Sequence, residues 1–187
     1  MYSFSDEAIY DAIERATARG VQVRFIFETA NEDRRKSGND LDRSRSARLE
    51  RMGVDVRYVN KIMHHKFVLV DGPRYDLSAA TTARLATGSG NWSYGAATYY
   101  DENTLFLEGV SVLVLYFQGE FDHLWAHSRD FIYGTAKPHV QSTSNLDVSA
   151  LEAGGDVDAY FTSDNFTVAG DTFRAARDRN RISDAMV

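Results

Sequence analysis

The chain has 187 residues, 43% of them hydrophobic, with two prolines and no cysteine. That is enough for one good-sized domain with its own core, and it excludes disulfides and thiolate metal sites. The net charge of −6 is uneven, with 13 Lys and Arg against 11 Asp and Glu in residues 1–66 and 8 against 16 in the remainder, so indiscriminate coating of nucleic acid is disfavoured while a local basic rim is not. No apolar run approaches the length of a membrane span, and nothing in these numbers fixes the compartment.

Ser5-Asp6-Glu7 followed by Ile9, Ala12, Ile13 and Ala16 predicts a helix with an N-cap, an acidic first turn and an apolar stripe, stopped by Gly20. Val21 to Phe27 reads as a strand with Val21, Val23, Phe25 and Phe27 on one face. Asn31 to Asp42 reads as a loop; its Arg34-Arg35-Lys36 cluster is interleaved with Glu32, Asp33 and Asp40 and so reads as solvated surface. Leu41 to Met52 predicts a helix ended by Gly53, and Val54 to Val59 a strand. Gly72 to Arg84 is a polar hairpin or loop, Leu85 to Thr87 a return strand, Tyr94 to Asp101 a loop or short helix, and Asn103 to Leu107 a strand. Val110, Leu113, Val114, Phe117, Phe121, Leu124 and Trp125 have helical spacing and predict a helix over one face of a sheet. His123 and His127 lie four apart on it, but Leu124-Trp125 follow His123 where a zinc hydrolase needs a Glu, so no metal is assigned.

Between these elements stands Met63-His64-His65-Lys66-Phe67-Val68-Leu69-Val70-Asp71. Its apolar run ends at Asp71-Gly72 and predicts a short strand whose polar start lies at the rim of a sheet. Alternation puts His64 and Lys66 on one face and His65 on the other. An imidazole beside an ammonium makes a place for a phosphoryl group, because one nitrogen can attack while the cation holds the oxygens.

The pattern His64-x-Lys66-x4-Asp71 resembles the HKD motif of the phospholipase D superfamily. Gly88-Ser89-Gly90-Asn91 resembles that family's G-S-x-N element, and Asp101-Glu102-Asn103 stands where its members carry a glutamate before a strand. The resemblance implies an α/β fold, a phospholipase D-like lobe in which a mixed β-sheet is flanked by helices on both faces. It implies a phosphodiesterase in which His64 attacks phosphorus to form a covalent phosphohistidine, with Lys66, Ser89 and Asn91 holding non-bridging oxygens and Glu102 orienting His64. Asp71 belongs to the same catalytic motif, but five residues beyond Lys66 it reads as a supporting residue. No cofactor is implied, and Lys66, Ser89 and Asn91 stand in for metal charge.

The family sets two H-x-K elements face to face, and this sequence holds one, since His65, His123, His127 and His139 lack a Lys two residues on. The second half is therefore expected from another lobe or from a homodimer partner. In this reading residues 1–134 form the lobe with its first strand cut short, 135–155 a linker, and 156–187 the start of a second lobe. The substrate is a phosphodiester of nucleic acid or phospholipid. A non-catalytic half, kept for dimerisation or for binding a phosphodiester, is the alternative.

Overall fold

The computed structural model describes residues 1–28, 36–59 and 63–131. The expected linker and second lobe, together with Arg34, Arg35 and His139, lie outside the described residues.

Helix α1 (Glu7–Ala18) starts where the Asp6 carboxylate accepts the Ile9 N–H at 3.1 Å and is followed by Gly20 at φ 86°, a conformation that favours glycine. Strands β1 (Arg24–Phe27) and β2 (Asp55–Tyr58) pair in parallel, with Phe25 opposite Val56. Between them the predicted single helix is two, α2 (Gly38–Asp42) and α3 (Arg45–Arg51), so the end of the expected loop is helical. The break is at Ser44, whose extended backbone lets its hydroxyl accept the Ala47 N–H at 3.1 Å and start a new helix.

Three antiparallel strands follow: β3 (Phe67–Val70), β4 (Arg84–Gly88) and β5 (Thr104–Glu108), with β4 in the centre. A 3-10 helix, Leu77–Thr81, occupies the β3–β4 connection, where a hairpin or loop was expected. The short helix α4 (Tyr94–Thr98) and the long α5 (Ser111–Ala126) complete the order, before β6 (Arg129–Asp130) returns antiparallel to β2.

The fold is α/β as expected, but its strands form two three-stranded sheets, one mixed and one antiparallel. Residues 1–5 join them. The Met1 amine donates to Ile26 O at 2.6 Å and Met1 O accepts the Glu28 N–H, while the Trp92 N–H donates to Ser3 O at 3.2 Å and Trp92 O accepts the Ser5 N–H at 2.8 Å.

Alternation along the strands fills two layers. Phe25, Phe27, Val56 and Tyr58 meet Tyr10 of α1 and Ala47 and Leu49 of α3 in one core. On the opposite face, Ile26, Val59 and Met63 pack on Leu124 and Trp125 of α5. Further along α5, Val114 and Leu115 cover Leu85 of β4. Helices thus flank the first sheet on both faces, and α5 spans both sheets. The other face of the second sheet carries the row Val68, Ala86 and Phe106, with Phe106 82% exposed.

Two glycines should respond oppositely to alanine. A Cβ on Gly88 would lie 2.0 Å from the Asn103 carbonyl oxygen, inside the β4–β5 ladder. Gly119, exposed within α5, has nothing within 4 Å of that position among the described residues. Gly88→Ala is expected to destabilise by about 1–3 kcal/mol, and Gly119→Ala to stabilise by about 0.4–1 kcal/mol. Denaturant unfolding of the two variants beside the parent checks both signs.

Candidate active site

The residues just ahead of β3 form the site. Met63 is buried against α5, His64 is exposed, and Lys66 is 5% exposed. The alternation read from the sequence holds. The His64 ring stands edge-on to the Tyr2 ring at 4.6 Å between centroids, and Lys66 Nζ lies 5.2 Å from the same ring centroid. Met63 and His65 turn the other way, toward α5. Lys66 Nζ also donates to His64 O at 2.8 Å. An ammonium has three N–H donors, so this bond leaves Lys66 able to bind a phosphoryl oxygen.

The second wall is the turn after β4. The Gly88 N–H donates to Lys66 O at 3.3 Å, which sets Gly88-Ser89-Gly90-Asn91 beside the H-x-K element. Ser89 Oγ donates to Glu102 Oε2 at 2.5 Å and accepts the Asn103 N–H at 3.0 Å, while the Ser89 N–H donates to Asn103 O at 3.1 Å. These bonds tie Ser89 to the start of β5. Asn91 Oδ1 is buried and has no hydrogen-bond partner among the described residues. As an acceptor it suits a ligand donor, which would recover the about 1–3 kcal/mol that a buried unpaired polar atom costs, while contact with an anionic oxygen would need the Asn91 side-chain N–H groups.

Glu102 therefore bonds Ser89, and among the described residues no hydrogen bond joins it to His64. Its influence on His64 is electrostatic. Loss of surrounding water, then the Lys66 and His65 charges, hold the His64 imidazole below its ordinary value, while Glu102 pulls the other way. Burial likewise pushes Lys66 down, again opposed by Glu102. The arrangement favours a neutral imidazole beside a cation, the combination that attack on an anionic phosphorus centre needs.

Asp71 stands at the far end of β3, exposed and at φ 56°, where its charge acts on Arg84, which itself pairs with Glu108 at 3.0 Å. The structure brings His64, Lys66, Ser89 and Glu102 together and leaves Asp71 outside that group. Two residues escaped the sequence reading. Tyr2 walls both His64 and Lys66, and Glu120 on α5 takes His65 Nε2 at 2.9 Å. No local pattern marks Tyr2, whereas Glu120 amid the apolar positions of α5 was a visible sign of a buried partner. His123 and His127 stack at 4.5 Å, and His127 Nδ1 lies 2.8 Å from His123 O at the end of that helix. The acidic trio that could hold a cation, Glu50, Asp55 and Asp130, includes none of the site residues, and Glu50 Oε1 already accepts the Val56 N–H.

Known proteins share sequence and fold with this chain. The family described as "Cardiolipin synthase, PLD-like domain" matches residues 1–125. The mitochondrial cardiolipin hydrolase of Chlamydomonas reinhardtii is 32% identical over 127 residues, which are 67% of this chain and 49% of that protein. The protein of the same name from Xenopus tropicalis is 35% identical over 127 residues, 67% of this chain and 52% of its own length. The chain thus spans about half the length of these curated relatives. Among solved structures, Nuc of Salmonella typhimurium, a phospholipase D family member, is similar at a TM-score of 0.54 and 25% identity, covering 71% of this chain and 78% of Nuc. NucT of Helicobacter pylori, at 19% identity and a TM-score of 0.51 over 70% of this chain and 79% of its own, shares the fold. With its H-x-K element and G-S-x-N turn set side by side and its family match running through residue 125, the chain belongs to the phospholipase D superfamily, as a PLD-like domain.

Proposed function

We propose that this chain supplies one half of a phosphodiesterase site in which His64 is the nucleophile. The observation that carries the reading is the exposed His64, held toward its neutral form beside the buried Lys66 cation. A lone pair of the His64 ring attacks phosphorus, and the bond from phosphorus to the leaving oxygen breaks. A histidine of a second H-x-K half, from another lobe or a homodimer partner, gives that oxygen its proton. The same histidine then takes a proton from water, whose oxygen displaces His64 and releases a phosphomonoester. Lys66 and the Asn91 side-chain N–H groups hold the non-bridging oxygens; Ser89, whose hydroxyl proton goes to Glu102 and not to a phosphate oxygen, links the turn to Glu102, and the Glu102 charge steadies the imidazolium character that develops on His64 as the bond forms.

The substrate class follows from the reacting group, a phosphodiester, which nucleic acid and phospholipid share. The names of the relatives, cardiolipin hydrolase and phospholipase D, support the phospholipid side. Side-by-side assay of the full-length protein on single-stranded DNA, duplex DNA and cardiolipin vesicles decides between them. If no phosphodiester is cleaved but one is bound, the chain is a non-catalytic half.

Three outcomes are expected. His64→Asn abolishes turnover with substrate binding largely kept, and acid quench of the parent with labelled substrate traps an acid-labile, base-stable phosphoenzyme on one of the two histidines. Normal turnover in His64→Asn, with no label trapped, would falsify the covalent route. Activity persists in excess EDTA, because Lys66 and the neutral donors carry the charge that a metal carries elsewhere; loss with EDTA and rescue by a divalent ion is the opposing result. NMR titration of the His64 ring gives a midpoint below the ordinary ~6.5, so the neutral, attacking form persists to lower pH. Glu102→Gln should lower that midpoint further and Lys66→Met should raise it, since the two charges act in opposite directions.

A further inference from the structure

The backbone that presents His64 is sparsely held. Among the described residues the single hydrogen bond to His64 comes from Lys66 Nζ to its carbonyl, and Met63 has none. Ladder pairing begins at Phe67. What fixes the segment on its inner side is α5. Met63 packs on Leu124 and Trp125, and two residues on, His65 Nε2 meets Glu120 Oε1 at 2.9 Å. Glu120 is 5% exposed, and its helix is seated against β3 by Phe117 on Phe67, with ring centroids 5.0 Å apart. The odd-numbered residues of this segment are thus gripped from below, and His64 stands between the two grips.

We propose that Glu120 is a positioning residue, which through its bond to the His65 ring sets the backbone of Met63–Lys66 and so the direction of the His64 imidazole. This rests on the reading of His64 as the nucleophile and adds a residue to it. The Gly88 N–H holds the Lys66 carbonyl at one end of the segment, while packing at Met63 fixes depth at the other end but not rotation there, because apolar contact is not directional. A charge-assisted hydrogen bond two residues along is directional and removes that freedom. The same helix acts beyond β3. Gln118 Nε2 donates to Asp122 Oδ1 at 3.1 Å, Arg74 Nη1 lies 3.6 Å from that oxygen, and a Cβ on Gly72 would lie 2.3 Å from Gln118 Oε1. Buried polar residues of α5 therefore serve the segments on both sides of the strand that carries the motif.

Four variants of the full-length protein test this on bis(para-nitrophenyl) phosphate: Glu120→Gln, Glu120→Ala, His64→Asn, and the apolar swap His65→Phe with Glu120→Leu. The swap guards against simple unfolding, since replacing a hydrogen-bonded polar pair by packed apolar groups is often neutral for stability. The expected result is a kcat lower by about ten- to a hundredfold in Glu120→Ala and in the swap, with KM within about twofold of the parent. Glu120→Gln, which keeps a hydrogen-bonding group in place, should restore kcat to within about threefold. The His64 ring signal in NMR should broaden or move in Glu120→Ala and return in Glu120→Gln, a readout that does not depend on turnover. A folded swap with kcat within about twofold of the parent overturns the proposal, as does a loss carried by KM, an unmoved His64 signal, or failure of every Glu120 variant to fold. If instead His64→Asn stays active, the nucleophile reading fails, while the NMR comparison still judges the tether.

Discussion

One main-chain seam holds this structure together. Residues 1–5 pair on one side with Ile26 and Glu28 and on the other with Trp92, and among the described residues little other backbone hydrogen bonding links the two sheets. The seam also places chemistry. It sets Tyr2 against His64 and Lys66, and it fixes Trp92, the residue next to Asn91. Phe4, fully buried at the junction, rests on Tyr10, Phe25 and Trp92, so side-chain packing repeats what the backbone bonds do. A phosphate cradle made from two turns of the chain needs such a brace, because a displacement of either turn changes the span between the cation and the neutral donors.

Within the cradle, exposure and burial divide the work. His64 lies open, where a phosphorus centre can approach in line, and Lys66 lies beneath, shielded from water. A shielded cation acts on a bound phosphoryl group more strongly than one screened by solvent. It also discourages a second positive charge nearby, which keeps the imidazole lone pair free. Glu102, occupied with Ser89, moderates both effects without neutralising either group by direct contact.

Local rules accounted for much of this. Period-two alternation at Met63–Lys66 separated His64 and Lys66 from His65 before any coordinates, because strand geometry is set by the backbone alone. The G-S-x-N turn and Glu102 were marked by their motif, and the turn lies beside the H-x-K element, but Glu102, expected to orient His64, bonds Ser89 instead. The helix break at Ser44 was within reach of the sequence, since a serine ahead of a helical run is a strong start signal. Other features had no local cause. Tyr2 reaches the site because Ser3 pairs with Trp92, a contact between segments far apart in the chain. The partner chosen by Glu102 depends on a side-chain rotamer, and the separation into two sheets depends on how far each ladder runs before the strands twist apart. Asp71, grouped with the motif by spacing, is carried away from His64 and Lys66 by the length of β3.

The seam also has a consequence for the order in which the molecule is assembled. Ser3 leaves the ribosome long before Trp92, so their bond can close only after the chain between them has been made, although Met1 and Phe4 can already pack on β1 and α1. Closing so long a loop carries an entropic cost that grows slowly with length but delays the event. The first sheet can form with its helices while the second is still being made. The site needs both turns, so a chain halted before Trp92 holds the first core without a place for chemistry.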